Sequence, residues 1–232
     1  MTVPVRSPRF ADVREAADLA AFLRRLLHYD RAAAVRLQAG GGALAVFGRP
    51  PSFEVLAIRT ARLSETHEFD VTVSAGELLE SLDTDEDAEG GAGVSALPSA
   101  VTGPSWAGML PPRGGWQERP GLPGPVDLRT RLADAVAEFR SRDAALPEDR
   151  RTRAERDLIG RDIWSRTVGD TELPLRAVHA AQSLGFLRPA PDLPVALLTA
   201  GAWLRLRTPF GSIALRGPGG GLGPLAVTVG TV

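Results

Sequence analysis

Tryptophan and arginine alternate with leucine in Trp203-Leu204-Arg205-Leu206-Arg207, and Arg216 follows in the next apolar run. Side chains alternate across a strand, so the tryptophan and the arginines would share one face of a sheet. Aromatic and guanidinium groups on one face can stack on bases and neutralise phosphates. The same pattern also fits a solvated face whose arginine stems cover apolar surface. On the helix expected just upstream, only Arg176 and His179 would be base or phosphate contacts. With residues 150–168 and 175–187 as a helix-turn-helix and the hairpin 195–216 as its wing, the region also admits a winged-helix reading. Two further tryptophans, Trp106 and Trp116, lie in a stretch rich in glycine and proline. Together with Met109 and Leu110 they are too apolar for a free tether. They predict an extended arm packed on a domain surface, or a proline-rich ligand for a groove on another protein.

The remaining motifs do not assemble into a reactive site. Asp83-x-Asp85-x-Asp87 echoes a calcium loop, but Ala88 stands where glycine is needed and Val94 where glutamate is needed. His28, His67 and His179 lack paired-ligand spacing. Gly217 to Gly223 is followed by Pro224 and a β segment rather than by the helix a phosphate loop requires. Gly103-Pro104-Ser105-Trp106-Ala107 is one residue short of a nucleophile elbow. Cysteine and lysine are absent, which removes thiolate and Schiff-base chemistry. No catalytic residue, metal or cofactor is therefore expected, and the reading leans away from an enzyme.

A net charge of −1 over 232 residues argues against bulk attraction to nucleic acid or anionic membrane, so such a partner would need a local patch. The first ten residues lack the apolar core of a signal peptide. The longest apolar run, Val195 to Leu204, falls short of the ~20 residues of a membrane span. The cytoplasm is the expected location.

The elements that must position these residues follow from periodicity. Asp12 to Tyr29 reads as a helix, with Ala16, Ala20, Leu23 and Leu27 on one stripe. Strands are expected at Ala33–Gln38, Ala43–Phe47, Phe53–Arg62 and Phe69–Ser74. Ser74 and Glu77 then form a capping box that opens a short helix. The acidic run Asp83, Asp85, Glu86, Asp87 and Glu89 reads as a solvated linker. Helices follow around Leu128–Phe139, from Pro147, and from Leu175 to Phe186, where Pro174 and Gly185 are boundary residues.

Strand residues then recur. Val35-Arg36-Leu37, Ala43-Leu44-Ala45, Leu56-Ala57-Ile58-Arg59 and Val71-Thr72-Val73 return as Val195-Ala196-Leu197, Ala202-Trp203-Leu204, Ile213-Ala214-Leu215-Arg216 and Val227-Thr228-Val229. Such a repeat predicts an α+β fold of two related helix-plus-antiparallel-meander units, an internal duplication with a helical insert between them. The expected divisions are 1–84 for the first unit, 85–125 for the linker or docked arm, 126–172 for the insert and 173–232 for the second unit. Aligned in this way, the core pair Leu204 and Leu206 corresponds to Ala45 and Phe47. The opposite face would then carry Trp203, Arg205, Arg207, Phe210 and Arg216 in the second copy, and Leu44, Val46, Phe53, Val55 and Ala57, ending in Arg59, in the first. The first sheet is apolar on both faces and must be covered on both, by the helices at 127–168 or by the tryptophan arm.

The helix, the meander and Val71-Thr72-Val73-Ser74-Ala75 leading into Leu78-Leu79 resemble half of a DNA sliding-clamp domain. The resemblance covers about a third of the chain. It implies a helix layer facing DNA, with Arg14, Arg24 and Arg25 on it. The chain as a whole also resembles an uncharacterised protein family of GC-rich actinobacteria. The function expected is a non-catalytic interaction or scaffold module with a protein partner. Its candidate contact residues are Trp203, Arg205, Arg207, Arg216, Arg176, Trp106 and Trp116. A nucleic-acid-binding protein using the arginine face, and an enzyme with a pocket between the units, are the alternatives.

Overall fold

The computed structural model describes residues 7–84 and 92–217. Asp12 accepts a hydrogen bond from the Arg14 amide at 2.7 Å and so opens helix α1, Val13–Tyr29. Its stripe Ala16, Leu19, Ala20, Phe22, Leu23 and Leu26 is buried. Strands β1 (Ala34–Gly40), β2 (Ala43–Gly48), β3 (Leu56–Arg62) and β4 (Phe69–Ser74) follow. Ser74 caps α2, Ala75–Glu80, by accepting from the Glu77 amide at 3.4 Å. A small ladder pairs β5 (Leu82–Asp83) with β6 (Gly93–Val94). The acidic positions 85–89, and with them most of the calcium-loop pattern, lie outside the described residues, as do the glycine run beyond Gly217 and the expected strand at Val227–Val229.

The rest of the chain holds β7 (Gln117–Arg119), α3 (Pro125–Ala144), α4 (Arg153–Trp164), α5 (Leu175–Ser183), β8 (Ala196–Ala200), β9 (Trp203–Thr208) and β10 (Gly211–Arg216). The second insert helix begins later than Pro147 predicts. Pro147 leads only into a 3-10 turn, and the helix starts where the Thr152 hydroxyl accepts from the Glu155 amide at 3.3 Å.

Apart from β5 and β6, the described strands form one eight-stranded antiparallel sheet in the order β4-β1-β2-β3-β10-β9-β8-β7. The order is a palindrome, with β3 and β10 at its centre. Ile58 pairs with Ser212 there, and the two occupy equivalent places in their hairpins: Ile58 opposes Phe47 as Ser212 opposes Arg207, and Arg59 opposes Val46 as Ile213 opposes Leu206. The fold is thus α+β and built of two related units, as the repeat predicts. One place departs from the repeat. The outer edge of β8, which corresponds to the β1 edge taken by β4, is filled by β7 from the arm that precedes α3.

The ladder also corrects the alignment of the copies. Gly40 pairs with Ala43 around a turn at Gly41, and Ala200 pairs with Trp203 around a turn at Gly201. Gly41 (φ 61°) and Gly201 (φ 54°) both occupy the left-handed region that a tight two-residue hairpin demands. Trp203 is therefore the counterpart of Ala43, not Leu44, and Leu204 and Leu206 correspond to Leu44 and Val46. Because one residue of slip exchanges the faces, Phe47, Leu56 and Ile58 lie on the Trp203/Arg205 face, away from the helices. Phe210 leaves that face: it packs on the helix-side core and lies under Arg188, whose guanidinium carbon is 3.5 Å from the ring centroid.

On the helix side, Leu44, Val46, Ala57, Leu204, Leu206 and Ile213 meet α1, α3, α4 and α5 in one core. Val46 and Val55 are buried, so the first unit is covered on both faces, by helices here and by the arm on the other side. The helix side also overturns the winged-helix reading. The hairpin β9–β10 sits in the middle of the sheet, and α5 buries Leu175, Ala177, Val178, Ala180 and Ala181. His179 stands between the rings of Phe53 (5.0 Å) and Trp164 (4.6 Å), with no groove-facing role.

Burial holds the His179 imidazole below its ordinary pKa. The unfolded chain takes up a proton as the pH falls below about 6.5, whereas the folded chain resists it, so stability should decline from there towards acid. Urea melts at pH 5 and pH 7 are expected to show a smaller difference in His179→Phe than in the native chain. An equal difference in both would remove His179 from the account.

Candidate binding face

On the sheet face opposite the helices, Phe47, Leu56, Ile58 and Ala214 form a second buried cluster. An apolar face of this kind needs a cover, and the arm supplies it: Trp106 and Leu110 pack on it together with Ala45 and Trp203. The arm turns through a 3-10 segment, Ser105–Gly108, that buries Ala107. Arg36 clips it there. Its guanidinium grips Asp70 in a two-bond fork, at 2.7 and 2.8 Å, and donates a third hydrogen bond to the Ala107 carbonyl. Gln38 adds a bond to the same carboxylate at 2.9 Å. The Arg36 hydrogen bonds hold the Asp70 carboxyl below its usual range. Upstream, the Val101 amide donates to the Thr72 carbonyl at 2.9 Å, covering part of the β4 edge.

Beyond Leu110 the arm runs towards β7. The Trp116 indole donates to the Pro112 carbonyl at 3.0 Å, and the Arg205 guanidinium lies 5.5 Å from the Trp116 ring. Burial, with Arg207 close by, lowers the Arg205 pKa, and its Nε has no hydrogen-bond partner. Arg119 then ties β7 to Thr199 at 2.9 Å.

Of the residues singled out from sequence, Trp203, Arg205 and Arg207 do share a face, and Arg216 lies 5.4 Å over the Trp203 ring. Trp106, Trp203, Arg176 and Arg216 converge on one groove of about 290 Å³ at the join of the two units. Trp116 and Arg205 form a separate stack, and Arg207 is exposed and does not line the groove. Sequence reasoning missed Arg49 and Glu54, which complete the groove together with Met109, a residue expected only as part of the arm. Arg49 and Glu54 flank the turn Pro50-Pro51-Ser52, whose side chains gave no reason to place it beside α5. Among the described residues, Glu54 is the only non-glycine residue with positive φ, at 52°. Such backbone is costly for a residue with a Cβ and marks sites that the surroundings over-determine. Arg14, Arg24 and Arg25 are exposed on α1, and the Arg25 guanidinium closes on Gly185.

Among the described residues no group of three histidine, aspartate or glutamate side chains is placed to hold a metal ion, and no helix is long and apolar enough to cross a membrane.

Residues 3–108 match the family described as "Domain of unknown function (DUF8010)", and residues 111–220 the one described as "Domain of unknown function (DUF8185)". No curated protein matches the chain. Among solved structures, a DNA polymerase sliding clamp from Pseudomonas aeruginosa is similar at 13% identity with a TM-score of 0.45, over 94% of this chain and 66% of the clamp. A structure of that organism's sliding clamp with ligand is similar at 16% identity with a TM-score of 0.43, over 88% of this chain and 63% of the clamp. The chain thus spans about two thirds of the length of these clamps, 63% and 66%.

Proposed function

We propose that this chain, which carries two domains of unknown function in tandem, is a non-catalytic cytoplasmic module that binds another protein through its arm-covered sheet face. The observation that carries the reading is the incomplete cover on that face. The arm buries Phe47, Leu56 and Ile58, yet leaves a groove beside Trp106 and Trp203, with Met109 56% exposed at its edge. Aromatic, methionine and arginine side chains around a small apolar floor are the composition that concentrates binding energy at protein interfaces. The units join through the β3–β10 ladder, and the groove beside that seam is lined by apolar, tryptophan and arginine side chains with Glu54 as its one carboxylate, which disfavours an enzyme pocket between them.

A photoreactive amino acid at Met109 tests the reading, with one at Val126 of α3, 48% exposed, as control. Irradiation in native cells is expected to give discrete protein adducts from position 109, insensitive to nuclease, and none from position 126. The clustered arginines favour nucleic acid as the second reading, and nuclease-sensitive adducts at position 109 would establish it instead. Equal labelling at both positions would discard the face altogether.

A further inference from the structure

We propose that the groove at Arg49, Arg176 and Arg216 binds an acidic peptide segment that carries one apolar anchor residue; the proposal rests on the protein-binding reading above and names the chemistry of its partner. The floor is apolar, formed by Val55, Leu56, Ala214 and Leu215 between the indoles of Trp106 and Trp203. Three arginines reach it from three elements: the turn after β2, the first turn of α5, and the end of β10. Glu54 is the only carboxylate among its lining residues, so the groove carries an excess of positive charge.

Arg176 is the most telling of these groups. It is half-buried, its Nε is shut off from solvent, and its side chain has no hydrogen-bond or ion-pair partner among the described residues. Desolvating a guanidinium without an acceptor costs free energy, and a carboxylate entering the groove would supply an acceptor to its terminal N–H groups. Arg49 is exposed and likewise has no ion-pair partner among the described residues. The contrast is with Arg59 and Arg188, which hold Glu15 and Asp18 on the other face of the sheet.

The surroundings favour peptide over nucleic acid. A single strand needs open aromatic faces and a continuous basic track. Here Arg216 already lies over Trp203 and Arg205 over Trp116, while Asp30 lines the adjoining cavity of about 450 Å³ beyond Trp106. A short segment that seats one leucine or phenylalanine against Met109 and the part-exposed indoles of Trp106 and Trp203, and directs flanking carboxylates at the arginines, matches both the size and the charge.

Panning a random peptide phage library on the purified full chain tests this. Enriched sequences are expected to combine Asp or Glu with one large apolar residue. Synthetic peptides of the enriched sequence should bind more weakly as salt rises, and about tenfold or more weakly to Arg176→Gln/Arg49→Glu. Circular dichroism on that variant, together with the milder Arg49→Ala, separates lost binding from lost fold. Enrichment of neutral or basic sequences, or peptides indifferent to the arginines, would overturn the acidic specificity while leaving the protein-binding face intact. Absence of any enrichment would overturn the proposal too, and the position-109 cross-links then report separately on the broader reading. Tight, arginine-dependent binding of oligo-dT in place of peptide would overturn both.

Discussion

Replacing Arg59 with alanine is expected to remove about 3 kcal/mol or more of folding stability, read from urea melts. Arg59 enters the helix-side core from β3, and its side chain is only 6% exposed. One Nη lies 3.1 Å from Glu15 and 3.4 Å from Asp18, and the other donates to the Phe210 carbonyl at 2.9 Å. The position is unusual because its counterpart in the second unit is Ile213, fully buried in the same core. One copy has kept a hydrocarbon where the other has placed a cation and brought two carboxylates to meet it. Each carboxylate has a second arginine: Arg62 lies 3.0 Å from Glu15, and Arg188 2.7 Å from Asp18. Taking Arg59 away therefore does not orphan an acid completely. It leaves a cavity and strips the Phe210 carbonyl of a donor. Arg59→Met keeps most of the volume and should lose roughly 1 kcal/mol. Were alanine and methionine to cost the same, charge rather than packing would dominate, and a cost below about 0.5 kcal/mol for alanine would mean the network contributes nothing.

Gly211→Ala is expected to lower the melting temperature by roughly 6–12 °C, corresponding to about 3 kcal/mol in a chain of this size. Gly211 opens β10 with φ at 153°, and a Cβ there would lie 2.5 to 2.7 Å from three carbons of the Phe186 ring. That ring is 2% exposed and packs on Phe22 with centroids 5.5 Å apart, so it has little room to retreat. The turn is pinned on its other side as well, because the Thr208 hydroxyl donates to the Gly211 carbonyl at 3.1 Å and accepts from the Phe210 amide at 3.2 Å. Shrinking the ring should relieve the clash. Gly211→Ala with Phe186→Leu is therefore expected to lose less than the two single changes added together. Strict additivity would show that the backbone, not the ring, sets the cost.

The elements of this fold were largely legible because each carries its own periodicity. Asp12, Ser74 and the stripe of α1 act where the side chains say they act. The duplication was legible for the same reason, but its register was not. Gly40, Gly41 and Gly42 stand opposite a lone Gly201, and only the backbone shows which of the three takes the positive φ. The one-residue difference decided whether Phe47 or Val46 lay beneath the helices. The role of Gln117–Arg119 was hidden too, since strand pairing uses main-chain groups and these three side chains are all exposed. Half of the groove could be named from residue types on β9, β10 and α5. Arg49 and Glu54 could not, and Met109 could be named as an arm residue but not placed, because a turn and an arm have no period from which to infer a neighbour.

The palindromic strand order has a consequence for how such a chain could arise. Pairing β3 with β10 about the Ile58–Ser212 pair is the isologous contact by which two identical subunits add their sheets edge to edge. The seam inside this chain thus has the form of the subunit interface of a two-fold dimer, closed by a covalent tether. Within one chain the two sides of the seam are free to differ. An arginine could stand in one half where isoleucine stayed in the other, and the groove across the seam could become one-sided, which no symmetric dimer allows.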